Sequence, residues 1–579
     1  MRTAEVRIRA DLASALGTEP TTAHGPELKA EVNADQLPAL TARLRDEFGA
    51  VFADLFGVDA RGRGGDFELH LLFSLDQRTV MLSGAKHLQG GGEETLRSAV
   101  QKLQVSVLRT GFPEPWDTQG DNKKALDRER AWLHLVAPLE GETPHFPSLT
   151  PLLPAADWYE REVWDEVGIE PRGHPALTRL RLPSDWPEGV RPLGHTFAWD
   201  AEVPRNGHAS TSELVEAPPG VVDYPLGPVR SGVVESVHYG LRTVGEELVD
   251  LRLQPFYKHR GVEKTAEVLP LIHLPLLAER ISGTSAFAHS LALCQAIEVA
   301  AGVEAPPRAR YLRTILAELE RIYNHLGYHA DLCQATGLVV GQAQLDILKE
   351  RVLRLNAAVG GHRYLFGMNV AGGLARDLDL DALESVKRTT GNIRLELKSL
   401  EPMLLGSSSH LDRLEGTGIL TPPDAKTYGA VGPIGRASGV DRDLRRDHPY
   451  AAYAEAGFEV PVYPSGDALA RAKVRLAEIH QSLRIVEQLL DRLPGGPVKV
   501  AVGDLPAGVS GLGWAESPRG EGVHWIQIGG RGTLSRYRVR PASFANAQVF
   551  PLAVPGHNIL TDFPIIEQSF GLSFAGCDR

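Results

Sequence analysis

Thiols are scarce in this sequence: three cysteines, Cys294, Cys333 and Cys577, occur in 579 residues, and none stands in a C-x-x-C pair. That excludes a disulfide framework and a zinc ribbon. Three thiols also cannot supply a four-thiolate metal site, wherever they fall in space. Long apolar runs are lacking as well. A membrane-spanning helix needs about 20 apolar residues, and the densest apolar stretch, "VLPLIHLPLLAER" from Val268, is short and carries two prolines and a histidine. The N-terminus, "MRTAEVRIRADLASALG", scatters charges where a signal peptide would have an apolar core, so a cytoplasmic chain is expected. Positive charge is not in excess either. The net charge of −12 argues against nucleic acid as a partner, because phosphate binding wants a basic stripe. Nucleotide signatures are missing too: no G-x-x-x-x-G-K-[ST] occurs, and the glycine groups "GVSGLG" (508–513) and "GGRG" (529–532) do not form G-x-G-x-x-G.

What is present is enough chain for two or three domains. The first stretch mixes "FELHLLFSL" (67–75), strand-like with partial alternation, with "RTVMLSG" (78–84), which would complete a hairpin, and "EETLRSAVQKLQ" (93–104), which has helical spacing. A proline- and glycine-rich tract closes it at 171–192, and residues 195–225 are polar and without period, as a linker is. Beyond them, apolar residues recur at helical spacing: Leu312, Ile315, Leu316, Leu319, Ile322 and Leu326, then Leu345, Leu348, Val352 and Leu355, then Leu476, Ile479, Leu483, Val486, Leu490 and Leu493. These stripes read as a helical-bundle core without chemistry in it. The last 80 or so residues turn β-like again in "GVHWIQIGG" and "RYRVRPASF". The expected class is α+β: a small α+β domain over 1–194, a linker over 195–225, and a large, mainly helical domain with peripheral β-structure over 226–579.

Polar residues gather in four glycine-punctuated stretches: "YKHRGVEK" (257–264), "ERISGTSAFAH" (279–289), "GPIGRASGVDRDLRRDHPY" (432–450) and "SFGLSFAGCDR" (569–579). His325 and His329, four apart on a helix, could chelate a metal, but no third ligand accompanies them and helix packing is the plainer reading. In this order the four stretches, with "RTILAELERIYNHL" and "YRVRPASFANAQ", resemble the large subunit of membrane-bound group 4 [NiFe]-hydrogenases and, equally, the 49-kilodalton-type (D) subunit of respiratory complex I. The first domain, through "YEREVWDEVGIEPRGHPALTRL" (159–180), resembles the companion 30-kilodalton-type (C) subunit. A fused chain of this kind resembles the large subunit of formate hydrogenlyase.

The departures from that family carry the functional argument. A Ni–Fe site takes two C-x-x-C pairs, and here the corresponding positions hold Ser282 and Ser285, then Ser573 and Gly576. Hydroxyls are hard donors of high pKa and do not replace thiolates for a soft metal pair, so the resemblance implies no metal held by this chain. The ending "GCDR" resembles that of the complex I subunit, with nothing expected beyond it for processing. The complex I quinone anchors are replaced as well: Val234 stands at the histidine and Gly283 at the tyrosine, with His238 and Tyr239 out of register.

Other positions carry over as what the resemblance implies. Arg260 and Glu263 lie in R-G-x-E, where the hydrogenase glutamate relays protons. Glu279, Arg280 and His289 keep the E-R…F-A-H frame, Arg436, Asp441 and Arg445 lie in "RASGVDRDLR", and Asp578 and Arg579 end the chain. In a buried cavity such carboxylate–arginine pairs would have shifted pKa values suited to moving protons. The expectation is a peripheral subunit on the cytoplasmic side of the membrane in a complex I-like or energy-converting-hydrogenase-related oxidoreductase. Its partners would be a small iron–sulfur subunit with a [4Fe–4S] cluster, membrane-arm subunits and, as a candidate donor, a formate dehydrogenase. This chain would bind no cofactor of its own, with a quinone as the open exception. The alternatives are a C/D-type subunit reducing menaquinone at a remodelled site and a redox-silent scaffold.

Overall fold

Partial alternation in "FELHLLFSL" has a simple origin: the strand it forms is covered on both faces. The computed structural model describes residues 21–22, 27–61, 65–76, 130–204, 217–231, 234–530 and 532–579. In the first segment, β1 (Glu27–Glu31), helix α1 (Leu37–Phe48), β2 (Val51–Asp59), β3 (Phe67–Asp76) and β4 (Arg130–Leu139) build a sheet in the order Thr21–Thr22, β1, β4, β3, β2. β1 and β4 run parallel and the other pairs antiparallel. Leu69, Leu71, Phe73, Leu133 and Leu135 face Leu37, Leu40 and Leu44 of α1 on one side. Leu72, Phe56, Val58 and Trp132 on the other face pack into the core of the second segment, against Trp514 and Trp525. A sheet buried twice keeps apolar residues at most positions, which blurs the period of two. The hairpin partner of β3 is the preceding β2. The expected strand at 78–84 and helix at 93–104 lie outside the described residues.

Helix α2 (Asp157–Glu166) follows, and then the 171–192 tract in turns and bends. The stretch read as a linker ends in structure: β5 (Val222–Leu226) is the edge strand of a three-stranded antiparallel sheet with β6 (His238–Val244) and β7 (Glu247–Gln254). Pro225 masks it in sequence, and only an edge strand tolerates that proline.

The large segment then stacks α3 (Val262–Val268), α4 (Ala286–Ala301), α5 (Pro307–Thr336), α6 (Val339–Gly360), α7 (Leu380–Leu404) and α8 (Ala468–Asp491). Gly302, Gly337 and Gly361 end α4, α5 and α6 in the left-handed conformation that glycine adopts freely. All the stripe residues of α5 and α6, and those of α8 as far as Val486, are buried in one cluster, with Leu490 and Leu493 packed at its edge. α5 also carries buried polar residues that its stripe did not announce. Arg313, Glu318, Glu320, Arg321, His325 and His329 are buried on the same helix. Between Leu312 and Ala330 α5 is enclosed almost entirely, so its polar residues there face other helices and strands where a surface helix would face water.

The antiparallel strands β8 (Ser510–Ser517), β9 (Gly520–Ile528) and β10 (Leu534–Arg540) form a sheet under α4, and α9 (Ala542–Val549), α10 (Phe563–Phe570) and α11 (Phe574–Asp578) complete the chain. α4 lies so close to β8 that a Cβ on Gly511 would stand 2.0 Å from the Ala296 carbonyl oxygen, and one on Gly513 2.0 Å from that of Ala292. The "GLG" of this strand is therefore a seat for the helix that follows "ERISG". Gly513→Ala must push α4 off the sheet and should lower unfolding stability by about 1–3 kcal/mol. Gly503→Ala, where a Cβ meets nothing within 4 Å, should leave it unchanged in the same chemical-denaturation measurement.

Candidate functional site

Glu162 and Glu166 are four apart on α2 and project from one face. Arg181, in the tract that follows, donates to both, at 2.7 Å and 3.0 Å. Three elements of the large segment reach the same point. β10 presents Arg538 between its apolar residues, α3 presents Glu263 in its first turn, and the chain end inserts Arg579. Arg538 donates to Glu162 at 2.8 Å and pairs with Asp54 of β2. Arg579 donates to Glu162 at 2.6 Å and to Glu263 at 3.3 Å, and Glu263 also accepts from the Val539 amide at 2.9 Å. All of these side chains are buried. The cluster thus lies where the two segments meet, with ligands from both.

Its electrostatics separate the carboxylates. Burial opposes ionisation of Glu162, but Arg538, Arg579 and Arg181 outweigh it and hold its carboxyl far below the usual range. The same contest leaves Glu263 lowered, chiefly through Arg579 and Arg538. At Glu166 burial wins: Arg181 and, more weakly, Arg579 oppose it, the negative Glu162 and Glu263 add to it, and its carboxyl is pushed up to about 8. Asp578 is raised to about 6 by burial, although its carboxylate accepts from the Phe256 and Lys258 amides. Four carboxylates (Asp54, Glu162, Glu166, Glu263) face three guanidiniums (Arg181, Arg538, Arg579), and the surplus negative charge is removed by a proton held on Glu166. Oxygens of Glu162, Glu166 and Glu263 lie within 4.8 Å of one another, a spacing that could suit a cation. The three arginines already neutralise them, and a metal fits this cluster poorly.

The four positions at which the resemblance would put metal ligands, Ser282, Ser285, Ser573 and Gly576, converge. Ser282 and Ser573 share a hydrogen bond of 2.9 Å, and a Cβ on Gly576 would lie 3.7 Å from the Ser282 Cβ. Ser285 is buried one turn away, its amide donating to the Ser282 carbonyl. Arg260 ties the walls together, donating to the carbonyls of Arg280, Ile281 and Ala575. Two hydroxyls bonded to each other, a third hydroxyl and a glycine are the wrong donor set for a soft Ni–Fe pair, and no step is routed through such a centre.

The remaining expected residues lie elsewhere. Glu279 is buried between Arg280 and the Gly367 amide, and burial raises its carboxyl; Arg280 itself is exposed and stacks on Phe366. His289 bonds His524, which bonds the Tyr537 hydroxyl, and burial lowers the His289 imidazole to about 3, so it stays neutral. Arg436 and Arg445 enter a second buried network with Arg321, Glu318, Asp443, Glu478 and Glu516. Asp441 is not part of it: half-exposed, it pairs with Arg446, and Asp443, two residues on, takes the inner place. "DRD" offers two carboxylates and only the turn of the loop chooses between them. His325 bonds Glu478 of this network at 2.8 Å, so the His325/His329 pair is not a chelate. Val234 is exposed and Gly283 lies at the surface.

Sequence reasoning missed Asp54, Glu162, Glu166, Arg181 and Arg538, and also Glu235, whose carboxylate accepts from the Ser573 hydroxyl at 3.1 Å and the Ala575 amide at 2.9 Å. A signal existed for some: Glu162/Glu166 at helical spacing, and arginine at every second position of "RYRVR", which implies buried guanidiniums in need of carboxylates. Nothing local marked Asp54 or Glu235.

Models of the respiratory-chain NADH dehydrogenase 30 Kd and 49 Kd subunits match residues 123–203 and 344–510. Formate hydrogenlyase subunit 5 of Escherichia coli K12 is 35% identical over 460 residues, covering 78% of this chain and 80% of the relative. A C/D-type subunit of NADH-quinone oxidoreductase from Phocaeicola vulgatus is 31% identical, covering 69% and 80%. Among solved structures, a chain of the membrane-bound sulfane sulfur reductase, an archaeal respiratory membrane complex, superposes with a TM-score of 0.59 at 30% identity, over 62% of this chain and 99% of that one.

The raised pKa of Glu166 makes stability depend on pH in a defined window. From the unperturbed 4.5 up to about 8 the folded chain holds a proton that the unfolded chain has lost. The contribution is complete below that window and disappears as pH rises through it. Glu166→Gln mimics the protonated form and escapes this loss, so its Tm should gain steadily on wild type between pH 4.5 and 8 and then level off. Glu162→Gln leaves Arg538 and Arg579 short of their carboxylate and should destabilise by about 3–5 kcal/mol near neutral pH, read by denaturant unfolding.

Proposed function

The chain belongs to the family in which complex I 30- and 49-kilodalton-type segments are fused, and from that premise we propose that it is a peripheral-arm subunit that couples electron transfer to ion movement without a Ni–Fe centre of its own. The observation that carries this reading is the buried cluster at the junction of the two segments. Glu263, which stands in the family's proton-relay position, shares it with a carboxyl that holds a proton near neutral pH. A proton that can leave at a modest change of nearby charge is what a redox event in a neighbouring subunit can displace. Electrons would come from a small iron–sulfur subunit with a [4Fe–4S] cluster. Formate is the candidate donor, because a relative is named formate hydrogenlyase.

No helix among the described residues is long and apolar enough to cross a membrane, and attachment on the cytoplasmic side would run through membrane-arm partners. Exposed Tyr257, Val268, Ile272 and Leu276 lie in the one stretch that carries Arg260 and Glu263 and offer apolar surface for such contacts. Quinone reduction is the second reading. It is favoured by the C/D-type relative and by Glu235 and Thr284, polar groups one residue from Val234 and Gly283 that reach the convergent serines.

The test uses the purified complex, driven by reduced ferredoxin or by formate with a quinone as acceptor, in wild type and Glu263→Gln. Ion movement should fall about 100-fold in the variant, within the range for loss of a positioned proton-transfer group. Unchanged turnover and unchanged ion movement would leave only a scaffold role. Loss of quinone binding with ion movement intact would favour the quinone reading.

A further inference from the structure

A chain of hydroxyls with one direction runs between the two walls. Thr284 Oγ1 lies 3.1 Å from Ser282 Oγ, Ser282 Oγ lies 2.9 Å from Ser573 Oγ, and Ser573 Oγ donates at 3.1 Å to Glu235 Oε1. Each hydroxyl has one proton and two lone pairs. The Glu235 carboxylate only accepts, so it takes the Ser573 proton. Ser573 also accepts from the Gly576 amide at 3.2 Å, which leaves one lone pair and no proton for Ser282. Ser282 must therefore donate to Ser573, and by the same count Thr284 must donate to Ser282. Every hydroxyl proton points one way, toward Glu235.

We propose that Thr284, Ser282 and Ser573 form a proton wire through the emptied centre, ending on the carboxylate of Glu235. Ser282 and Ser573 are buried, while Thr284 is partly exposed beside the exposed Gly283, so the entry end lies at the surface. A proton arriving on Thr284 Oγ1 displaces that hydroxyl's own proton to Ser282, Ser282 passes its proton to Ser573, and Ser573 passes its proton to Glu235, which becomes a neutral acid. Nothing is oxidised or reduced. The wire resets when the three hydroxyls rotate. The other Glu235 oxygen is held by the Ala575 amide at 2.9 Å. The charged and titratable groups facing Glu235 are Arg260 from the loop before α3, Arg519 from the β8–β9 turn, Tyr239 from β6 and Cys577 from α11. Arg260 and Arg519 place positive charge near the terminal carboxylate.

This rests on the reading that the complex moves protons, and its test is separable from that of Glu263. In the purified complex, driven by reduced ferredoxin with a quinone acceptor, Ser282→Ala and Ser573→Ala should each cut proton-coupled turnover at least tenfold and alter its pH profile. Ser282→Thr keeps the hydroxyl and should retain wild-type turnover. Turnover and pH profile unchanged in both alanine variants would overturn the wire even if Glu263→Gln is impaired. Impairment in the alanine variants with Glu263→Gln at wild-type rate would keep the wire and remove the Glu263 relay. Wild-type complex supplies a measurement independent of whether the alanine variants assemble. Infrared difference spectra across the pH profile should contain a carboxyl C=O band that is missing in Glu235→Gln. Its titration at a pH unrelated to turnover, or its absence from wild type, would overturn the proposal.

Discussion

A guanidinium can be buried only if carboxylates or carbonyls meet its donors, and that constraint organises both segments of this chain. Arg538 and Arg579 lie wholly inside. Their partners come from β2, α2 and α3, stretches of chain hundreds of residues apart. Removing one partner from such a set leaves an uncompensated buried charge, a far larger loss than the pair gains over an apolar substitute. The cluster is therefore a poor source of raw stability and a strong source of specificity. The N-terminal sheet has one seat on the helical segment because only that seat brings Asp54 and Glu162 to Arg538.

The second network repeats the arithmetic. Arg321, Arg436 and Arg445 face Glu318, Asp443, Glu478 and Glu516, again three cations and four carboxylates. Again one carboxyl keeps its proton: burial and the neighbouring Asp443 push Glu516 up to about 7. Glu478 lies far below the usual range because Arg436 and His325 outweigh its burial. Glu516 is on β8 and Arg538 on β10 of the same small sheet. The sheet thus carries one raised acid, Glu516, and the arginine that anchors the cluster containing the other, Glu166 of α2, and each acid is poised by an excess of a single negative charge. A charge arriving nearby shifts such a group more readily than a fully paired one.

Much of this was legible in the sequence, and the gaps have physical reasons. The helices of the large segment follow their apolar stripes, and the strands around "FELHLLFSL" and "GVHWIQIGG" are where β-rich residues put them. The polar side of α5 was not legible, because a stripe pattern reports which residues are apolar and is silent on whether the opposite face meets water or another helix. Asp443 in place of Asp441 turns on one loop's path. Edge strand β5 is hidden by Pro225. Glu235 could not be found at all: its partner Ser573 lies 338 positions further along the chain, and no local pattern records such a meeting.

The convergence of Ser282, Ser573 and Gly576 follows from what holds the two walls that carry them. The "SFGLSFAGCDR" segment is fixed by groups that never depended on a thiol. Arg475 donates to the carbonyls of Ser569 and Phe570, Arg471 to the Ser569 hydroxyl, and Arg260 to the Ala575 carbonyl. Asp578 caps the amides of Phe256 and Lys258, and Arg579 is anchored on Glu162 and Glu263. The opposite wall, Ser282 to Ser285, leads into α4, which Gly511 and Gly513 seat on β8. With both walls placed from outside, the positions of Ser282, Ser285, Ser573 and Gly576 do not depend on what those four residues bond. Hydroxyls brought that close bond one another, the Gly576 amide and the Glu235 carboxylate, and so the converging walls hold a hydrogen-bonded chain.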